Sequence, residues 1–182
     1  QPIEHLTTLR STPNMSTWRP ANLVETAVAW KEALSRTDGP TSIILSRQNL
    51  DSFVVKELDQ LKMGGYFISK KNDATVNLIA TGSEVGLALE AEKLLTTDGI
   101  NCNVVSVPCL ETLLSNKNRY NEIFSSKTTN IVIECGHPNS WYKHTQNVIG
   151  IDCFGESGKG KDLMDHFGFT PEKITNKIKQ MI

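Results

Sequence analysis

What most constrains this chain is a repeated exchange between short apolar, β-branched runs and longer segments whose apolar residues recur at helical spacing. From residue 66 onward the alternation is regular. Residues 66–69 and 77–81 read as strands, 84–96 as a helix, 103–107 as a strand, 119–124 as a helix and 130–134 as a strand. Then come a helix over 140–146, a strand over 148–152, and helices over 161–167 and 171–182, the last with Thr170 as its cap and Pro171 at its first position. Strands that alternate with helices pair in parallel through crossovers, so the pattern predicts an α/β fold with a mostly parallel sheet flanked by helices.

The first 65 residues follow a different plan. A short helix over 2–10 precedes a strand over 14–20 that Pro20 closes, because proline has no N–H to give a ladder. Leu23, Ala27, Trp30 and Leu34 fall on one helical face behind a candidate cap, Asn22, and Asp38-Gly39-Pro40 ends that helix. Residues 41–46 form an apolar run of the kind buried on both faces of a parallel sheet. Strand, helix, strand is a βαβ remnant of a second α/β domain, too short to be a whole one. Residues 49–65, ending in Gly64-Gly65, read as a linker with one short helix, so the expected division is 1–48, 49–65 and 66–182. The chain starts at Gln1 rather than Met and enters inside a helical pattern, which leads us to expect a truncated chain.

Composition excludes several functions. With 19 basic and 20 acidic residues the net charge is -1, and no basic patch points to nucleic acid. No apolar run approaches the roughly 20 residues that span a bilayer, and the first residues lack a signal peptide's basic and apolar regions, so no membrane partner is expected and the location should be cytoplasmic. Cys102, Cys109, Cys135 and Cys153 form no CxxC pair and suit reduced thiols better than disulfides or zinc.

Among the motifs, Ser46-Arg47-Gln48-Asn49 lies at the carboxyl end of an expected strand, where open α/β sheets bind ligands. Arg47 offers a permanently charged planar fork suited to a phosphate monoester; the bland alternative is an arginine paired with a carboxylate across a domain contact. Thr81-Gly82-Ser83-Glu84 joins a strand to a helix and could hold an anion on free amides, but Ser83 as a plain N-cap is the better reading. Glu134-Cys135-Gly136-His137 with Trp141 and His144 invites a metal hypothesis that no zinc spacing supports, leaving packing around Trp141. Residues 155–160 fail as a P-loop because Cys153 and Gly160 occupy the places of the required Gly and Ser/Thr. His5 and His166 read as surface or packing residues.

The runs Gln1-Pro2-Ile3-Glu4-His5-Leu6, Pro13-Asn14-Met15-Ser16-Thr17-Trp18-Arg19-Pro20-Ala21 and Leu45-Ser46-Arg47-Gln48-Asn49-Leu50 resemble the end of the pyrimidine-binding domain of the transketolase family. Gly64-Gly65-Tyr66, Ala80-Thr81-Gly82-Ser83-Glu84-Val85, Val104-Val105-Ser106-Val107-Pro108, Phe154-Gly155-Glu156-Ser157-Gly158 and Phe167-Gly168-Phe169-Thr170 are similar to its C-terminal domain. The resemblance implies a transferase that uses thiamine diphosphate with Mg²⁺ or Ca²⁺. It moves a two-carbon ketol unit from a ketose phosphate to an aldose phosphate in the pentose phosphate pathway, and works as a homodimer. Arg47 matches the arginine that helps hold the substrate's phosphate, and Ser46 should lie beside it. The family's Gly-Asp-Gly metal motif and its activating glutamate have no counterpart, since Thr37-Asp38-Gly39 and Thr97-Asp98-Gly99 carry Thr where the first Gly is needed. The expectation is therefore no catalytic residue, cofactor or metal in this stretch, and no activity from it alone. Two alternatives stand beside this: a non-catalytic structural or dimerisation module, and a piece of a related thiamine diphosphate enzyme such as deoxyxylulose phosphate synthase or a pyruvate dehydrogenase component.

Overall fold

The computed structural model describes residues 2–182. In chain order its elements are α1 (His5–Ser11), β1 (Ser16–Trp18), α2 (Leu23–Ser35), β2 (Thr41–Ile43), α3 (Leu58–Leu61), β3 (Tyr66–Ser69), β4 (Val76–Ala80), α4 (Glu84–Thr97), β5 (Cys102–Ser106), α5 (Leu110–Ser115), α6 (Lys117–Ile123), β6 (Thr129–Ile133), β7 (Asn147–Ile149), α7 (Gly160–His166) and α8 (Pro171–Met181). Gln1 lies outside the described residues.

Five strands form the larger sheet in the order β3-β5-β4-β6-β7, parallel except for β3, which pairs antiparallel to β5 at one edge. Both faces are covered. Val85, Ala88 and Leu95 of α4, with Ile174 and Ile178 of α8, pack on Leu78 and Val104. Leu113, Ile123 and Trp141 pack on Ile79, Val105 and Val132 of the opposite face. This is why the central strands read as near-continuous apolar runs.

One polar seam crosses that core. Asn77 stands opposite Asn103 on one side and Asn130 on the other. Asn103 Nδ2 donates to Asn77 Oδ1 at 2.8 Å, while Asn77 Nδ2 donates to Asn130 Oδ1 at 3.1 Å and to the Ile123 carbonyl at 2.8 Å. Buried amides are tolerated when paired in this way, and a one-residue slip of any strand would orphan them, so the seam specifies register.

In the larger domain the helices depart from the sequence reading around residues 110–115 and 138–146. Helix α5 was not expected; it starts directly after Pro108-Cys109 and buries Leu110 and Leu113. The helix expected over 140–146 is instead a 3-10 turn, Pro138–Ser140. Thr145 Oγ1 donates to the Asn130 carbonyl at 2.7 Å and accepts from Asn147 N at 3.1 Å, and this side-chain bonding draws the backbone into β7 rather than into a further helical turn.

In the N-terminal part β1 and β2 pair in parallel, with Ser16 opposite Thr41. Helix α2 connects them, capped by Asn22 Oδ1 accepting from Glu25 N at 2.9 Å. Its buried side is Glu25, Val28 and Ala29, which join Trp18, Leu61, Tyr66 and Cys109 in a cluster shared with the larger domain. The stripe read from the sequence faces the other way: Leu23 is 82% exposed, Trp30 53% and Leu34 80%. Likewise β2 is half-buried rather than buried on both faces. Both are features of a βαβ remnant, whose apolar surface exceeds what the remnant itself can cover.

The 49–65 segment ends in a tight approach. Gly64 has φ +86°, and a Cβ there would lie 2.4 Å from both the Cys109 carbonyl oxygen and the Leu113 amide nitrogen.

Candidate functional site

The loop after β2 carries both residues singled out from the sequence. Arg47 and Ser46 are exposed, and Ser46 Oγ donates to the Gln48 carbonyl at 3.0 Å, a local turn bond. No ion pair involves Arg47 among the described residues. A cleft of about 200 Å³ is lined by Ser46 and Gln48 of this loop, by Gly82 and Ser83 of the β4–α4 turn, and by Arg19 and Pro20. The loop that offers a free guanidinium therefore borders the larger domain.

The arginine that does pair with a carboxylate across the contact is Arg19, which the sequence reading missed. Its main chain is held at both ends: the amide donates to the Pro108 carbonyl at 2.7 Å, and its own carbonyl accepts from Gly82 N at 3.0 Å. Its side chain is 10% exposed. Nη1 donates to the Glu84 carboxylate, to the Thr81 carbonyl at 2.8 Å and to Thr81 Oγ1 at 2.7 Å, while Nη2 reaches Ser83 Oγ at 3.2 Å. Burial opposes its charge, but Glu84 and Glu134 outweigh that and hold its pKa above the ordinary arginine value.

Glu134 anchors the second half of the cluster. Arg10 of α1 grips it with two bonds of 2.7 and 2.8 Å, Thr81 Oγ1 donates to it at 2.6 Å and Trp141 Nε1 at 2.9 Å. Burial would raise its pKa, yet Arg10, Arg19 and the Thr81 hydroxyl hold it at about 2. The Arg10 guanidinium also lies 5.0 Å from the Trp141 ring centre. So the Glu134-to-Trp141 stretch packs around Trp141, as the residues implied. Burial pushes the Cys135 thiol up, away from a reactive thiolate. His144 shares a 3.0 Å bond with the Tyr120 hydroxyl, and burial lowers its pKa.

Ser83 occupies the N-cap position of α4, as expected, but does not cap it with its side chain. It has helical dihedrals and makes no capping bond; its hydroxyl donates to Glu84 Oε1 at 2.5 Å and accepts from Arg19. Gly82, at φ +52°, sets up the turn, and the Glu84 and Val85 amides are consumed by bonds to the Thr81 and Gly82 carbonyls. Few free amides are left there for an anion.

A second buried carboxylate, Glu25 of α2, joins the two parts with no cationic partner among the described residues. Its Oε1 accepts from the Tyr66 hydroxyl and Ser106 Oγ, each at 2.7 Å, and its Oε2 from Ala21 N at 2.6 Å. Burial raises its pKa above the ordinary 4.5 despite these donors. With a raised folded value, the stability it contributes is full below 4.5 and declines as pH rises through the folded value. The stability difference between the parent chain and Glu25→Gln should therefore change with pH above 4.5 and flatten below it, as read by urea unfolding at stepped pH.

Two family models match the chain. Residues 64–170 match the family described as transketolase-like TK C-terminal domain, and residues 1–52 match transketolase, pyrimidine binding domain. The chain belongs to the transketolase family. It is 43% identical to transketolase 2 of Aliivibrio fischeri over 190 residues, covering all of this chain and 29% of that protein. Among solved transketolases, that of Pichia stipitis in complex with sedoheptulose 7-phosphate superposes with TM-score 0.94 at 34% identity, covering 100% of this chain and 27% of its own. The transketolase of Campylobacter jejuni gives TM-score 0.92 at 41% identity, covering 99% and 28%. The chain thus spans under a third of the length of the transketolases it matches.

A pyrimidine-binding domain of a transketolase implies thiamine diphosphate. The residues described do not fit that group or its metal. Asp38 is paired with Arg36 at 3.1 Å and Asp98 with Lys179 at 2.6 Å, each an isolated carboxylate at a turn. No cluster of three or more His, Cys, Asp or Glu side chains gathers among the described residues, and both Glu25 oxygens already accept bonds from the chain itself.

Proposed function

We propose that this chain is the C-terminal part of a cytoplasmic, homodimeric transketolase of the pentose phosphate pathway, and that its own contribution to ketol transfer is to bind substrate phosphate through Arg47 with Ser46 beside it. In this reading residues 1–48 close the pyrimidine-binding domain, 49–65 link, and 66–182 form the C-terminal domain. Thiamine diphosphate and Mg²⁺ or Ca²⁺ are held elsewhere in the protein, so this stretch alone is inactive.

The observation that carries the reading is the exposed, unpaired guanidinium of Arg47 at the carboxyl end of β2, in a chain whose relative from Pichia stipitis was solved with a sugar phosphate. A phosphate is remote from the reacting carbonyl, so holding it orients that carbonyl without touching it. The exposed Leu23, Trp30 and Leu34 stripe supports a larger apolar surface that further protein covers. The test is a ketol-transfer assay with ribose 5-phosphate, xylulose 5-phosphate, thiamine diphosphate and Mg²⁺, run on this chain and on the complete reading frame. Activity is expected in the latter alone. Arg47→Ala there should raise KM for phosphorylated substrates by about tenfold or more while leaving thiamine diphosphate binding intact. An unchanged KM sinks the role of Arg47, and activity of the short chain sinks the account of where the cofactor sits.

A further inference from the structure

The Ser46–Asn49 loop has little of its own to hold it: it is exposed, and the side-chain bond within it runs from Ser46 to Gln48. What fixes its root lies one strand away. Ile44 N, two residues before Ser46, donates to the Trp18 carbonyl at 2.8 Å, and the next residue, Arg19, is clamped by main chain and side chain to the β4–α4 and β5–α5 turns. That clamp comes to the surface at the cleft the loop lines, where Arg19, Gly82 and Ser83 meet Ser46 and Gln48. A Cβ on Gly82 would lie 2.8 Å from Arg19 Cγ, so turn and guanidinium stem are in contact.

We propose that Arg19, locked by Glu84 and Thr81, is a positioning residue for the phosphate-binding loop, through which the C-terminal domain sets the geometry of substrate phosphate recognition. This rests on the reading of Arg47 above. A fork held by four acceptors has one orientation, and the strand ends on both sides of it inherit that orientation. The pair acts on how phosphate is held rather than on the reacting carbonyl, so its removal should act selectively.

The test compares KM for a phosphorylated ketose with KM for the same ketose lacking phosphate, in the complete reading frame. Arg19→Met/Glu84→Gln removes both charges together and avoids leaving either one buried alone, which favours folding. The expected result is a rise of about tenfold in KM for the phosphorylated ketose, with KM for the unphosphorylated one within about twofold of the parent. Adding Arg47→Ala should then give less than the product of the separate effects, because both variants act on one interaction. An equal rise for both sugars, no rise for either, or full multiplicativity with Arg47→Ala overturns the positioning role while leaving Arg47 in place. If Arg47→Ala by itself leaves both KM values unchanged, the reading of Arg47 fails and the positioning role falls with it. Should the double variant fail to fold, Arg19→Lys keeps the charge opposite Glu84 but loses the fork, and the same comparison decides.

Discussion

Glu134→Ala is expected to lower the unfolding free energy by about 3–5 kcal/mol, because it breaks a buried charge cluster from its centre. Glu134 is 1% exposed at its side chain, and Arg10, which grips it with two bonds, is 4% exposed. Removing the carboxylate leaves that guanidinium in a dry site where Arg10 Nε already has no partner among the described residues. It also frees Thr81 Oγ1 and Trp141 Nε1, two further donors with no water to turn to. The same contacts lower the carboxylate pKa from 4.5 to about 2, which corresponds to about 3 kcal/mol. Since the folded value lies below the unfolded one, this contribution is complete above 4.5 and is lost as pH falls through about 2. Urea unfolding at pH 7 should show the full penalty, and the gap between variant and parent should close toward pH 2. A penalty below about 1 kcal/mol at pH 7 would mean that the two arginines find other partners.

Gly64→Ala should be nearly as damaging for a different reason. Its φ of +86° already disfavours any L side chain, and the added methyl would meet the Cys109 carbonyl oxygen and the Leu113 amide nitrogen, one turn apart at the start of α5 and each 2.4 Å away. Main chain inside a packed helix start cannot rotate aside as a side-chain tip can. The left-handed conformation and the clash together should cost about 3–5 kcal/mol, with α5 displaced from the sheet. The control is Gly99→Ala, also at positive φ (+79°) but with nothing within 4 Å of the added carbon, where only the conformational part remains, about 1 kcal/mol. Thermal unfolding of the two variants side by side separates strain from collision.

The alternation that predicts the larger sheet was legible because parallel strands covered on both faces must be apolar along their length, as Leu78, Ile79, Val104 and Val105 are. The reading missed α5 because Leu-Glu-Thr-Leu-Leu-Ser is under two turns long, too short for a periodicity to register, and is held in place by tertiary packing of Leu110 and Leu113. It placed the apolar stripe of α2 on one face without saying which way that face turns, and the stripe is exposed. The side that turns inward contains Glu25, whose burial depends on Tyr66 and Ser106 far along the chain. Arg19 escaped notice for the same reason. A charged residue between Trp18 and Pro20 at a strand end is a signal, but its meaning comes from Thr81 and Glu84, more than sixty residues away. Arg47, by contrast, stood out from its position after a strand and from the family resemblance, and the structure leaves it exposed.

The two-ended grip on Arg19, with its amide on Pro108 and its carbonyl on Gly82, ties the two parts together independently of the peptide connection over residues 49–57. Force between the two parts has routes besides the chain itself: that grip, the Glu25 bonds and the Arg10–Glu134 pair, each anchored at the ends of folded elements. A nick beside the exposed Val54 is therefore expected to leave the halves associated as a non-covalent pair, eluting together in native gel filtration and separating on a denaturing gel.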